Sequence, residues 1–233
     1  MKTLDFVNLL LKTNQPFIMK IFKNLFAIVL AFSLISVAHS CIKEDEVVLE
    51  EITYEPSNPN IPKIVFTSNN LTSEDFSFWA TSSNKFSVDW GNGKKVEYPA
   101  NSPDGSLIKG TLEGDVINIY TTSANDLKLV DLQGKKIKKI DLKNAIGLET
   151  ILLKDNKLDN INFGTNAGLK VINIEANSFK TEDLDAALKS LHGKNTASNP
   201  GKITIGDGAD GNAKPTNDAI NFAKNIHWQV ITD

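Results

Sequence analysis

A period of 21 residues dominates the middle of this chain. Leu127, Leu148 and Leu169 stand 21 residues apart, and further apolar residues follow each of them at matching offsets. The matching sets are Leu127, Val130, Leu132 and Ile137; Leu148, Ile151, Leu153 and Leu158; and Leu169, Ile172, Ile174 and Phe179. Asn156 and Asn177 stand at equivalent places in the second and third sets. A fixed period of this length indicates one small structural unit stacked on copies of itself.

The repeated pattern resembles the leucine-rich repeat. The stretch from Leu148 to Leu158 has the L-x-x-L-x-L-x-x-N-x-L spacing, and Ile137-x-x-Ile140-Asp141-Leu142 is similar to the returning half of the short 21-residue bacterial class. The resemblance implies an α+β fold class, with a leucine-rich-repeat solenoid in a domain that spans residues 121–233. Asn156 and Asn177 are expected to hydrogen-bond backbone in the turns. Such repeats present a binding surface and carry no chemistry of their own.

The last part of the chain predicts a helix-containing C-terminal cap. Thr181-Glu182-Asp183 is typical of a helix start, and His192-Gly193 of its end. A second helix is expected from Pro215 to Ile226, followed by an edge strand at 228–231. Solenoids need atypical terminal units to cover their open ends.

The segment 62–120 has a β pattern. Phe76, Phe78 and Ala80 alternate with other residues, and Asn92-Gly93 between two β-like runs is a strong hairpin signal. The string Val88-Asp89-Trp90-Gly91-Asn92-Gly93 looks like the V-D-W-G-D-G signature of PKD-like modules, with Asn92 in place of an aspartate. The resemblance implies an N-terminal β-sandwich-like module, either an independent domain or a cap of the solenoid. We expect Trp90 to be a core residue rather than a platform for a sugar ring.

The N-terminus predicts a secretory signal peptide at residues 1–40. A basic start at Met19-Lys20 precedes an apolar run of 14 residues, Leu25 to Ala38, and small residues follow. This run is short for a membrane span, although an uncleaved membrane helix is the alternative. Residues 1–18 are expected to be an upstream extension, because Met19 begins a complete signal by itself; the sequence leaves open which methionine is the start.

Cys41 is the only cysteine and directly follows this signal. The position resembles the lipobox of bacterial lipoproteins, which implies diacylation of Cys41 and a membrane association through lipid; a stray thiol is the alternative. Residues 41–61 are then a flexible tether. Lys43, Glu44 and Asp45 resemble the signal that exports some Gram-negative lipoproteins to the cell surface, or they form a solvated tether. We therefore predict a cell-surface lipoprotein of the outer membrane.

The charge of the chain and the absence of catalytic and metal-binding motifs exclude several classes of function. Removal of residues 1–40 leaves 21 lysines against 27 acids, and arginine is absent, which argues against nucleic acid as a partner. Only two histidines remain, without a metal-ligand or nucleophile motif around them. Asp207, Asp210 and Asn212 lack the acid order of a calcium loop and predict a tight turn. We expect no enzyme activity, no cofactor and no metal.

The candidate site is the outward row of the repeated strands, because alternation directs neighbours of the core residues to solvent. The row comprises Leu129, Asp131, Thr150, Leu152, Lys154, Val171, Asn173 and Glu175. An apolar strip flanked by charges suggests a protein partner, in adhesion or host interaction, unless another part of the chain covers it. Glycan binding and a structural envelope role are the alternatives: exposed aromatics near Trp79 or Trp90 would favour a glycan, and a bare polar face would favour the structural role.

Overall fold

The structure is a computed structural model that describes residues 57–69, 73–192, 194–209 and 211–232. The strands of this part of the chain are β1 (Ile64–Ser68), β2 (Asp75–Ser82), β3 (Phe86–Asp89), β4 (Lys95–Tyr98), β5 (Ser106–Thr111), β6 (Val116–Thr121), β7 (Leu127–Asp131), β8 (Ile137–Asp141), β9 (Thr150–Leu152), β10 (Val171–Asn173), β11 (Gly201–Thr204) and β12 (Trp228–Ile231). The helices are α1 (Thr181–Lys189) and α2 (Asn217–Asn225).

The strands form two sheets that pack face to face. One sheet has five strands in the order β4-β3-β6-β1-β8, and the other has seven in the order β12-β11-β10-β9-β7-β2-β5. In the seven-stranded sheet, β2 and β5 pair antiparallel, whereas β7, β9, β10, β11 and β12 form a parallel ladder. Phe66 of the first sheet meets Phe76 and Phe78 of the second, with ring centroids 6.0 and 6.5 Å apart. The two sheets therefore share one hydrophobic core.

The predicted fold class, an α+β chain with a leucine-rich-repeat solenoid, is wrong. The described residues form a mostly-β, sandwich-like fold with two short helices. The reason is non-local pairing: β2 joins β7 antiparallel, and β1 joins β8 antiparallel. The strands of the repeated segment are thereby built into the same two sheets as the N-terminal strands. The expected boundary between residues 120 and 121 lies within β6 and stays a prediction.

The 21-residue spacing appears in the register of the parallel ladder. Thr150 lies opposite Leu129 on one side and Val171 on the other, and Ile151 lies between Val130 and Ile172. Asp155 and Ala176, also 21 residues apart, both have left-handed backbone, with φ of 55° and 54°. The chain therefore turns in the same way after β9 and after β10.

Buried asparagines hold these turns together, as predicted for Asn156 and Asn177. Asn156 accepts hydrogen bonds from the backbone N–H groups of Lys135 (3.0 Å) and Ile137 (2.9 Å) and donates to two carbonyl oxygens. In the same manner, Asn177 accepts a hydrogen bond from the backbone N–H of Leu158 and donates to two carbonyl oxygens. Asn212 continues the column, because it accepts from Phe179 and donates to the carbonyls of Ile174 and Ile205. Buried backbone groups are thus paired through side-chain amides.

Helix α1 packs against α2, and α2 packs against β12. The N-cap of α1 is Lys180, and the Thr181 hydroxyl donates to the carbonyl of Lys214 (2.9 Å) instead of capping its own helix. Asp185 accepts bonds from the Thr216 backbone N–H (2.8 Å) and hydroxyl (2.6 Å). Since Thr216 is the N-cap of α2, this carboxylate ties the two helices together.

Candidate binding face

The seven-stranded sheet has one face in the core and one toward solvent. Its core side includes a row of directly paired residues, all with no measurable exposure: Ala80, Val130, Ile151, Ile172 and Ile203. Neighbours along each strand point the opposite way, and directly paired residues share a face. The outer face has one row of Leu107, Trp79, Asp131, Leu152, Asn173, Thr204 and Ile231 and a second row of Thr81, Leu129, Thr150, Val171, Lys202 and Gln229. We call these two rows the outer face.

Apolar side chains form a continuous strip on the outer face. Leu107 lies directly opposite Trp79, and the strip then continues diagonally through Leu129, Leu152 and Val171. Direct and diagonal neighbours on a sheet are within contact range of large side chains. Leu107, Trp79 and Val171 are 48%, 42% and 38% exposed, and the other two are half-buried. The strip crosses four strand spacings, about 19 Å.

Polar members of the outer face serve mainly local structure. Asp131 accepts from the backbone N–H of Gln133 (3.0 Å), and Asn173 accepts from that of Glu175 (3.0 Å). These bonds turn the chain at the carboxyl ends of β7 and β10. Lys154 pairs with Glu175 at 2.8 Å. The pair and the Asp131 carboxylate place charges beside the apolar strip.

The structure places six of the eight predicted site residues on the outer face, whereas Lys154 and Glu175 follow β9 and β10 as an ion pair, and it adds two residues to the strip. Trp79 and Leu107 extend the strip because β2 pairs antiparallel with β7, which the sequence does not reveal. The alternation of Phe76, Phe78 and Ala80, which are buried, signals that Trp79 points outward. Alternation alone gives no indication that Trp79 lies beside the ladder.

Trp90 is a core residue, as predicted. It is 3% exposed, and its Nε1–H donates to the Tyr98 hydroxyl at 3.2 Å. A Cβ on Gly110 would collide with the indole ring of Trp90, so only glycine fits over it. Asp89, the residue before Trp90, accepts three backbone N–H bonds of 2.9–3.1 Å from residues 91–93. The Val88–Gly93 motif therefore has a structural role in this turn.

A column of charged side chains borders the outer face at the start of the ladder strands. Glu149 lies between Lys170, at 2.6 Å, and Lys128, at 3.6 Å. The hydrogen bond from Lys170 is the main reason that the pKa of Glu149 is held below its ordinary value, and burial opposes this shift. The carboxylate is therefore shared by two ammonium groups.

Four of the predicted site residues lie outside the described residues: Cys41, Lys43, Glu44 and Asp45. Asp210 is outside them as well, while Asp207 accepts the Ala209 N–H in a turn. Within the described ranges, no helix has the length and apolarity needed to cross a bilayer. The same ranges contain no cluster of three His, Cys, Asp or Glu side chains that could hold a metal ion.

Comparison with known proteins found no match: no family model, no curated protein and no solved structure is similar to this chain.

Proposed function

We propose that this protein is a lipid-anchored cell-surface protein that binds a protein partner on the outer face. The observation that carries the proposal is the apolar strip of Leu107, Trp79, Leu129, Leu152 and Val171 across five adjacent strands. A contiguous exposed apolar patch, rimmed by polar residues, is typical of interaction surfaces. Tryptophan is enriched among the residues that dominate binding energy, which makes Trp79 the expected anchor.

A glycan is the second candidate ligand, and the exposure of Trp79 favours it. An indole that is 42% exposed can stack on a sugar ring. Ser77 and Lys109, which pair directly with each other, are the next residues along β2 and β5 on the same face. A protein fits the whole strip better, because four of its five members are aliphatic and cover about 19 Å. A glycan would use only its Trp79 end.

Capture of partners from native envelope or host extracts tests the binding proposal. Trp79→Ala should weaken the free energy of binding by about 2 kcal/mol or more, as expected for a large aromatic anchor, and Leu152→Lys should also weaken capture. The matched control is Val96→Lys, because Val96 is 47% exposed on β4 of the other sheet. Equal capture by the wild type and both outer-face variants would contradict the proposed site. Loss with Trp79→Ala alone, together with binding to purified polysaccharide, would favour the glycan.

The anchoring part of the proposal depends on Cys41. Cys41→Ala should release the protein from membranes, since the apolar segment before it is expected to be removed with the signal. Replacement of Lys43, Glu44 and Asp45 by neutral residues should leave the chain lipidated but lower its cleavage by external protease. A Cys41→Ala protein that stays in the membrane fraction after signal cleavage contradicts the lipoprotein assignment.

A further inference from the structure

A groove lies at the amino-terminal ends of the ladder strands, next to the outer face. Its volume is about 470 Å³, and its lining includes Lys128, Gly147, Glu149, Gly168, Lys170 and Lys194. A second recess of about 160 Å³ shares Gly168, Lys170 and Lys194 with it, so the two are continuous. Thr150 and Val171, which follow Glu149 and Lys170, belong to the outer face. A ligand that covers the outer face can therefore reach the groove.

The groove is basic although the chain is acidic. The whole sequence has a formal charge of −3, whereas three lysines and a single carboxylate line this groove. Glu149 is shared between Lys128 and Lys170, and Lys194 makes no ion pair with any described residue. The side chains thus leave an excess of about two positive charges at neutral pH.

From this geometry we infer that the groove binds an acidic polypeptide segment, whose carboxylates pair with Lys128, Lys170 and Lys194. The ammonium groups of Lys128 and Lys170 both contact the Glu149 carboxylate, at 3.6 and 2.6 Å, so they lie within about 8 Å of each other. Alternate residues of an extended peptide point to the same side and stand about 7 Å apart, so two carboxylates two residues apart fit both lysines. The groove lining contains no aromatic side chain, so an acidic sugar would find charges there but no ring to stack on. The inference rests on the proposed function in one respect, since it assigns the segment to the partner held on the outer face.

Glu149 acts in this site as a built-in competitor. Its carboxylate already occupies the two flanking ammonium groups, at 2.6 and 3.6 Å. An incoming acidic residue must displace it or share those lysines with it. Removing the Glu149 charge should therefore strengthen binding, whereas removing the Lys194 charge should weaken it. The paired changes distinguish this site from a general attraction between charged polymers.

Calorimetric titration of the full chain in detergent with poly-L-glutamate tests the inference. We expect Lys194→Gln to bind about two- to fivefold more weakly and Glu149→Gln about two- to fivefold more tightly, the range for one exposed ion pair. The control variants Lys180→Gln and Glu182→Gln carry the same charge changes at the start of α1, beyond the other ends of the ladder strands. They should bind like the wild type.

Three outcomes overturn the inference: no binding at low salt, identical effects of the site and control variants, or preference for polygalacturonate over poly-L-glutamate at equal charge. The test is separate from that of the outer face, because poly-L-glutamate has no apolar side chains for the strip. If the groove variants shift this titration while Leu152→Lys and Trp79→Ala capture partners normally, the groove assignment holds and the proposed binding face fails.

Discussion

The parallel ladder and the antiparallel strands meet the same demand in different ways. Both must provide hydrogen-bond partners for the backbone N–H and C=O groups of their buried turns. After β9 and β10 the ladder uses a buried asparagine each time, Asn156 and then Asn177, with the same bonding pattern. The antiparallel part uses different side chains at two of its turns: Asp89 accepts three backbone N–H groups at one, and Asn101 accepts from the Ser82 N–H and donates to the Ala80 carbonyl at the other.

This difference explains which half of the molecule can be recognised from the sequence. A turn residue that recurs at a fixed spacing produces a detectable repeat, whereas a turn residue that is used once is one polar residue among many. The two halves should nevertheless depend on their turn residues for stability, to an extent set by how many buried groups each residue satisfies. The following changes test that dependence.

The largest effect is expected for Asn156→Ala. This side chain makes at least four hydrogen bonds to backbone groups and is 1% exposed. At about 1–1.5 kcal/mol for each bond, the free energy of unfolding should fall by about 4–6 kcal/mol. Urea unfolding measures it, with Asn160→Ala, at an exposed asparagine, as the control. A loss below 1 kcal/mol would show that water replaces the amide and that the two halves differ less than their geometry suggests.

Leu153→Ala and Leu152→Lys compare the two sides of one segment of the ladder. Leu153 is fully buried, so its truncation should cost about 2–5 kcal/mol through lost contacts and a cavity. Leu152 is half-buried on the outer face, where lysine can keep its stem on the sheet and its charge in water, and the expected cost is within about 0.5 kcal/mol. Thermal melts of both variants check this order. Unfolding by Leu152→Lys but not by Leu153→Ala would place the register one residue out of phase.

Asp89→Ala examines a turn residue of the antiparallel half. Loss of the acceptor leaves the N–H groups of Gly91, Asn92 and Gly93 without this partner, but that turn is partly open to water. We expect a loss of about 1–3 kcal/mol in urea unfolding, smaller than for Asn156→Ala. Asp104→Ala, at an exposed loop carboxylate, is the control. A loss as large as that of Asn156→Ala would remove the proposed difference between the halves.

The smallest expected effect is the pH-dependent contribution of the Glu149 carboxylate to the stability of the fold. Because its pKa is lowered in the folded protein, mainly by Lys170, the ionised carboxylate stabilises the fold. That contribution is complete above the ordinary value of 4.5 and is lost as the pH falls through the lower folded-state pKa. Since Glu149 is 40% exposed, screening limits the contribution to about 0.2–1 kcal/mol.

Wild type and Glu149→Gln should therefore differ in stability at pH 7 and approach each other as the pH falls below 4.5, and the difference at pH 7 should shrink in high salt. Glu182→Gln, at an exposed glutamate of α1, should follow the wild type throughout. A difference between wild type and Glu149→Gln that grows as the pH falls would contradict the direction of the pKa shift.

Local patterns in the sequence determined several parts of this structure. Alternation in and around Thr150–Leu152 decides which side chains enter the core, because successive side chains on a strand point to opposite faces. The 21-residue spacing determines that Leu129, Thr150 and Val171 lie side by side, and it identifies Asn156 and Asn177 as turn residues. The amphipathic patterns locate both helices, since each buries one apolar side.

Only the tertiary structure decided how these parts are joined. Antiparallel pairing of β2 with β7 and of β1 with β8 depends on which strands meet across long stretches of chain, and no periodicity records such meetings. That pairing overturns the predicted fold class and places Trp79 beside Leu129. Asn212 escapes the sequence analysis for a related reason. It stands 35 residues after Asn177, because α1 lies between them and breaks the period, while the folded chain still brings its amide into the same column.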